Sequence, residues 1–284
     1  MWAKLVAYSY LVIQFGGPEP GESHPRKPLP APTMPDESIP LLEILDINRG
    51  QEVVDLSMIL RQSAEFDTAS KSLLATILAN PRFQRWITAG SADLIYVEGH
   101  LDSTNFGRTS PVSYICANLV LLFRDQPDTM TLHFFCGQHV ASNDGLRGPK
   151  GLLRSILAQF LETWPEVPLD NIDLSDFQDN HELTPIDVFC RIFDQVVIQA
   201  PIHATICCII DDLSQFEKSH WTEDYSTLLH LLDHLVNFEG SGPKVKVFVT
   251  SPTRSRWLRE AVQEEPIELT ERGWSKRGER QQWL

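Results

Sequence analysis

The sequence predicts a three-layer α/β fold with a central, mainly parallel sheet, and three observations predict it. From residue 94 onward, short apolar runs alternate with longer amphipathic ones, the pattern of repeated strand-helix units. One of those runs, Thr205 to Ile210 (TICCII), has no polar alternation, as expected of a central parallel strand covered on both faces. The chain has 284 residues and is 42% hydrophobic, enough for one sizeable core or for one core with a poorly ordered arm, whereas two large domains would be crowded.

Taken in order, residues 1–40 form an arm. Gly16 to Pro40 is crowded with proline and glycine, which favours extended backbone and leaves too little apolar surface to fold alone. Residues 41–88 follow as a helical lead-in, with SKSLLATILA at Ser70 to Ala79 spaced as a helix and Pro81 to Ile87 bringing two aromatics near one face. The main domain is expected over 89–272, with a short basic tail at 273–284. Within it, Leu94–Val97, Thr131–Cys136, Thr205–Ile210, Val245–Thr250 and Ile267–Leu269 are strand candidates. Pro111–Phe123, Gly151–Leu161, Pro185–Ile198, Thr227–Phe238 and Ser255–Val262 are helix candidates.

Charge narrows the partners. A formal charge of −14, from 38 acidic and 24 basic residues, opposes approach to a polyphosphate backbone, and no basic stripe offsets it, so a nucleic-acid partner is not expected. The five cysteines stand among apolar neighbours without a C-x-x-C pair, which suits core residues of a reducing, cytoplasmic compartment. Leu5 to Phe15 is too short to span a bilayer, and no small-residue cleavage site follows it, so no membrane association is expected.

Three landmarks then fall in a telling order: a glycine-bearing turn after the first strand, an acidic pair after a central strand, and a polar cluster after a later one. That is the order in which a P-loop NTPase cradles phosphates at a helix N-terminus, holds Mg²⁺ on an aspartate, and senses the terminal phosphate. The turn is unusual. Gly99 and Gly107 are eight positions apart rather than five, and Arg108-Thr109 stands where Lys-Ser/Thr is expected. Counting back five from Gly107 reaches Asp102; a carboxylate about 4 Å from a phosphate charge costs on the order of 4 kcal/mol at an effective dielectric near 20. Arg108 keeps a positive charge as a planar fork, Thr109 offers a hydroxyl to Mg²⁺, and Ser110-Pro111 opens the following helix so that its N-terminus faces an anion. Read alone, the same residues also describe a polar strand-to-helix turn, and Asp211-Asp212 a strand end in a solvated turn.

Over roughly residues 69–270 the chain resembles the NACHT family of STAND nucleotide switches, in the versions common in filamentous fungi. The resemblance rests on RFQRWI, IYVEGHLDSTNFGRTSP, HFFCGQH, GLLRSILAQFL, TICCIIDDLSQFE and VKVFVTSPTRSR. It implies ATP or GTP with Mg²⁺ as ligand, Asp211 and Thr109 as metal ligands, and Gly99, Gly107, Arg108, Thr109, Ser110, Thr250 and Arg254 around the nucleotide. Ser214 and Gln215 occupy the positions of the family's acid pair, so Asp212 and Glu217 remain as candidate bases, and loss of the usual base removes about 10²- to 10⁴-fold of rate. Pro252 stands in place of the sensor arginine, with Arg254 the nearest cation. The expectation is a degenerate NACHT-like module that binds nucleotide or serves as a scaffold for protein partners, with weak or no hydrolysis. The alternatives are a slow Mg²⁺-dependent NTPase and an inactive remnant of a larger receptor.

Two further spacings suggest metal sites only weakly. His230 and His234 share a helix face without the glutamate or third ligand of a zinc site, and Cys136 with His139 lacks a second pair.

Overall fold

The computed structural model describes residues 38–64, 66, 68–100, 108–169, 172, 174, 184–238, 240, 242–262 and 265–269. The expected arm, apart from residues 38–40, lies outside them, as do Gly107 with the rest of 101–107 and the tail. Four helices come first: α1 (Ser38–Leu45), α2 (Gln51–Ser63), α3 (Thr68–Ala79) and α4 (Pro81–Thr88). Then follow β1 (Asp93–Gly99), α5 (Pro111–Arg124), β2 (Thr129–Phe135), α6 (Gly148–Thr163), α7 (Ile186–Gln199), β3 (Thr205–Asp211), α8 (Thr222–Asn237), β4 (Lys244–Ser251), α9 (Arg256–Ala261) and β5 (Ile267–Leu269).

All five strands are parallel, in the order β2-β3-β4-β1-β5. Every C-terminal strand end therefore lies on one edge of the sheet, and β4 separates the strand before the glycine turn from the strand that ends in Asp211. The period-2 alternation of a strand sorts side chains between two faces. Ile206, Cys208 and Ile210 of β3 join the apolar cluster formed with α6, α7 and α8. Cys207 and Ile209 join the cluster on the other face, with α2 to α5. That double cover makes the three layers and explains why β3 shows no polar alternation.

The lead-in is tied to the sheet by specific bonds. Asn80 caps α4, its side-chain oxygen accepting from the Arg82 N–H at 2.8 Å, and Pro81 occupies the first turn, where a missing N–H is harmless. Arg82 makes two 2.7 Å bonds to the Asp93 carboxylate, and the Trp86 indole donates to the Asp93 carbonyl at 3.1 Å. At the sheet edge, Gln159 of α6 accepts from the His133 N–H at 2.9 Å and donates to its carbonyl at 2.8 Å, which satisfies backbone groups that an open edge strand would expose.

The structure extends several elements beyond their expected bounds. Helix α8 begins at Thr222 rather than Thr227, because Glu223 and Asp224 favour the positive end of the helix dipole although they carry no apolar stripe. Helix α2 was not singled out within the lead-in: its buried face consists of Asp55, Leu56, Ile59 and Ser63, half of it polar.

Candidate functional site

Gly99 closes β1 and is buried. A Cβ there would stand 2.6 Å from the Pro252 carbonyl oxygen, so the turn after β4 demands glycine at this position. The described chain resumes at Arg108, exposed, beside the 3₁₀ turn Cys136–Gln138 that follows β2. Its carbonyl accepts from Gln138 Nε2 at 3.1 Å and leaves room only for glycine at position 137. Thr109 is buried; its hydroxyl donates to Gln62 Oε1 of α2 and accepts from Gln138 Nε2 at 3.1 Å. Ser110 caps α5, accepting from the Val112 and Ser113 N–H groups, both at 3.2 Å, while the Ser113 hydroxyl accepts from the Ser110 N–H at 3.0 Å. Two of the amides that a helix N-terminus could aim at a phosphate are thus already bonded to Ser110.

Asp211 ends β3 on the same edge. Its Oδ1 accepts from the Thr250 hydroxyl at 2.8 Å and from the Cys116 thiol at 3.6 Å, and all three residues are buried. Its Oδ2 is buried with no hydrogen-bond partner among the described residues. Burial pushes the Asp211 carboxyl above its ordinary range, against the stabilising influence of Ser113, Thr250 and Cys116.

Asp212 takes up a left-handed conformation with φ at 53°, which aspartate tolerates better than most residues. Its N–H donates to the Thr250 hydroxyl at 3.0 Å, and its carboxylate accepts from Ser214 Oγ at 2.7 Å and Gln215 Nε2 at 2.8 Å. Burial and the neighbouring Asp211 charge push its pKa up to about 7. Thr250 therefore links the two ends: one hydroxyl holds both aspartates.

Other expected residues stand apart from this cluster. Glu217 accepts from Ser255 Oγ at 2.9 Å and from the Trp257 N–H at 2.9 Å, both oxygens serving the N-terminus of α9. Arg254 is exposed in the turn before that helix. Buried Glu98 accepts from the Tyr96 hydroxyl at 2.9 Å, the Ser255 N–H at 2.8 Å and Arg259 Nε at 2.7 Å. Burial alone would raise the Glu98 carboxyl, but these donors outweigh it and hold the pKa below its ordinary value.

Ligand atoms of Glu98, His100 and Glu268 lie within 4.8 Å of one another, yet Arg259 already bridges the two carboxylates. His234 pairs with Asp194 at 3.3 Å, and His139 lies between Asp55 at 3.0 Å and Asp144 at 3.1 Å. Neither expected metal spacing gathers a metal cluster among the described residues.

Sequence reasoning missed Ser113, Cys116, Gln62 and Gln138. The first two lie one and two helical turns from the Ser110 cap, where a serine and a cysteine in an otherwise apolar helix carry no charge to mark them. Gln138 lies within the quoted HFFCGQH block, while Gln62 is 47 residues from its partner.

These features define a parallel three-layer α/β protein with a polar, partly charged cluster at the C-terminal edge of its sheet. The family described as nephrocystin 3, N-terminal, matches residues 73–252, more than half of the chain, and the chain belongs to that family. The region is NACHT-related, in keeping with the resemblance read from the sequence. No curated protein matches the chain. No helix among the described residues is long and apolar enough to cross a membrane.

Proposed function

We propose that this chain is a degenerate NACHT-like module of the P-loop type common in filamentous fungi, which binds ATP or GTP with Mg²⁺ weakly, turns it over slowly or not at all, and works in the cytoplasm through protein partners. One observation carries the reading: the buried Asp211 carboxylate has an oxygen without a partner at the edge where the Arg108-Thr109 segment arrives. Removing an ion from water costs several kcal/mol unless a counter-charge compensates. A hard divalent cation prefers oxygen ligands such as the unpaired Asp211 Oδ2. Asp211 would hold it, and when bound it would neutralise charge on the phosphates.

The chain's own residues argue for low turnover. The Ser110 hydroxyl already occupies two α5 amides, and Glu217 is committed to capping α9. Arg108 and Arg254, both exposed, supply positive charge for phosphate.

A second reading, a slow Mg²⁺-dependent NTPase, draws on Asp212. A carboxyl titrating near neutrality is tuned for general-base work, and its pKa is about 7. An inactive remnant of a larger receptor is the third.

Calorimetry with ATP and with GTP, each with and without Mg²⁺, tests the proposal. The expected result is a dissociation constant between roughly ten micromolar and one millimolar that requires Mg²⁺ and is lost in Asp211→Asn. Absence of binding at millimolar nucleotide in the intact chain and in variants designed to open the site would overturn it. Vigorous turnover abolished by Asp212→Asn would select the second reading instead.

A further inference from the structure

We propose that Arg147, Lys218 and the Trp221 indole form an oxyanion site that takes a phosphate group, on the edge of the sheet that also carries Asp211 and Asp212. It does not depend on nucleotide binding at Asp211. The turn after β2 supplies Arg147, the residue that caps α6, and the turn after β3 supplies Lys218 and Trp221, just ahead of α8. The Arg147 guanidinium lies 4.9 Å from the centre of the Trp221 ring, and the Lys218 ammonium 5.5 Å from it. Fully buried Phe216 meets the same ring edge-on at 5.3 Å and holds it in place. Gly148 opens α6 at φ 84°, and a Cβ there would stand 2.8 Å from the indole, so the ring rests against the first residue of that helix. Lys218 is close enough for its charge to favour the Asp212 carboxylate, which puts the cluster beside the acidic pair.

Among the described residues these donors go unanswered. Neither Arg147 nor Lys218 forms an ion pair or donates a side-chain hydrogen bond to them, Arg147 Nε is buried without an acceptor, and the Trp221 indole N–H has none either. The acids nearby are taken. Asp144 accepts from the Leu146 N–H at 2.8 Å and meets His139 at 3.1 Å, Asp212 accepts from Ser214 and Gln215, and Glu217 caps α9. Contact with an indole face attracts one cation, but a guanidinium and an ammonium brought to one ring repel each other. Arg147 moreover stands at the positive end of the 16-residue α6, whose N-terminus no side chain caps. In a chain with a formal charge of −14, two cations gathered there without a carboxylate leave a local excess of positive charge that an outside anion relieves. A phosphate group brings up to two charges and three acceptor oxygens, one for each of the fork, the ammonium and the indole N–H. A carboxylate brings one charge and two oxygens.

The test uses the whole chain and inorganic phosphate at constant ionic strength. Calorimetry is expected to show a dissociation constant of about one millimolar for the parent. Arg147→Gln and Lys218→Gln are each expected to weaken it about tenfold, and Trp221→Phe, which keeps an aromatic ring and removes the donor, about threefold. Lys218 and Trp221 are half-buried in a turn outside the sheet, so their variants decide the matter should Arg147→Gln fail to fold. Acetate in place of phosphate is expected to give no binding. Absence of phosphate binding in the parent, equal affinity in the parent and the folded variants, or acetate bound as tightly as phosphate would overturn the site. Mg²⁺-ATP added to the phosphate-loaded parent distinguishes the sources of the group: displacement of phosphate assigns the site to the terminal phosphate of a nucleotide, and binding of both assigns it to a separate phosphate ester. Mg²⁺-ATP binding that needs Asp211, without any phosphate binding, would overturn the site and leave the nucleotide reading standing. Phosphate binding without Mg²⁺-ATP binding would do the reverse.

Discussion

Asp211 and Asp212 end β3 side by side, and the Thr250 hydroxyl touches both, but their surroundings differ. Asp212 has a donor for each oxygen, Ser214 and Gln215, and still titrates near 7 because it is buried beside a second carboxylate. Its folded pKa lies above the 3.8 of an ordinary aspartate, so between about 4 and 7 the folded chain holds a proton that the unfolded chain has released. Stability therefore falls as pH rises through that window and levels off above it. At 1.36 kcal/mol per unit, the contribution is at most about 4 kcal/mol. Replacing Asp212 with Asn removes it. Urea denaturation at pH 5, 6, 7 and 8 should show Asp212→Asn gaining on the parent as pH rises to 7, then holding a constant lead; a difference that does not change with pH would mean the carboxyl is not perturbed. His139 acts in the same direction but higher. Burial disfavours its charge, while Asp55 and Asp144 more than offset this and raise its pKa, so its contribution is full below 6.5 and lost as pH rises through the raised value. The subtraction between parent and variant cancels it.

At the scale of elements, Arg154 shows how a single buried cation organises a junction. It is 2% exposed and donates to the carbonyls of Leu45, Asp46 and Gly145, closing the C-terminal end of α1 against α6. Replacement by Met keeps the apolar length but takes the donor away from the buried Leu45 carbonyl and from the carbonyls of Asp46 and Gly145, which lie on exposed residues, and hydrogen bonds to charged groups are worth about 1.5–3 kcal/mol. Arg154→Met is expected to lower stability by about 2–4 kcal/mol, and Arg154→Lys by less, since an ammonium cannot reproduce the planar fork. Chemical denaturation of the three proteins checks this, and a loss below about 1 kcal/mol would mean that water reaches those carbonyls. Helix α6 itself was legible as GLLRSILAQFL because its apolar period is long and regular. What Arg154 does was not legible, because its partner Leu45 lies 109 residues away and nothing local marks the pairing. The same holds for α2: the order of landmarks along the chain brought Asp211 and Thr250 to attention, but the polar bonds that bring Gln62 and Asp55 to the site arise only in three dimensions.

For the whole molecule, the parallel sheet could be anticipated from wholly apolar runs such as TICCII, whereas the strand order could not, since β1 and β3 are both apolar and nothing in either says that β4 lies between them. The relation of the lead-in to the sheet is also a property of packing. Phe83 and Trp86 of α4 are fully buried, with ring centroids 6.1 and 5.8 Å from Phe248 of β4, and Trp86 meets Phe123 of α5 edge-on at 5.8 Å. Leu73, Leu74 and Ile77 of α3 belong to the same cluster as Cys207 and Ile209 of β3. Each large apolar side chain contributes about 1.5–3 kcal/mol on burial, so five of them together approach the 5–15 kcal/mol that stabilises a typical domain. A chain starting at residue 89 would keep α5 on that face of the sheet but lose α2, α3 and α4, leaving the apolar side chains of Ile95, Val97 and Phe248 on β1 and β4 short of cover. It is expected to show no cooperative urea transition and to bind a dye for exposed apolar surface, whereas the full chain unfolds in one step. A cooperative transition from the shortened chain, with a midpoint within about 1 M urea of the parent, would show that α3 and α4 decorate a sheet that stands without them.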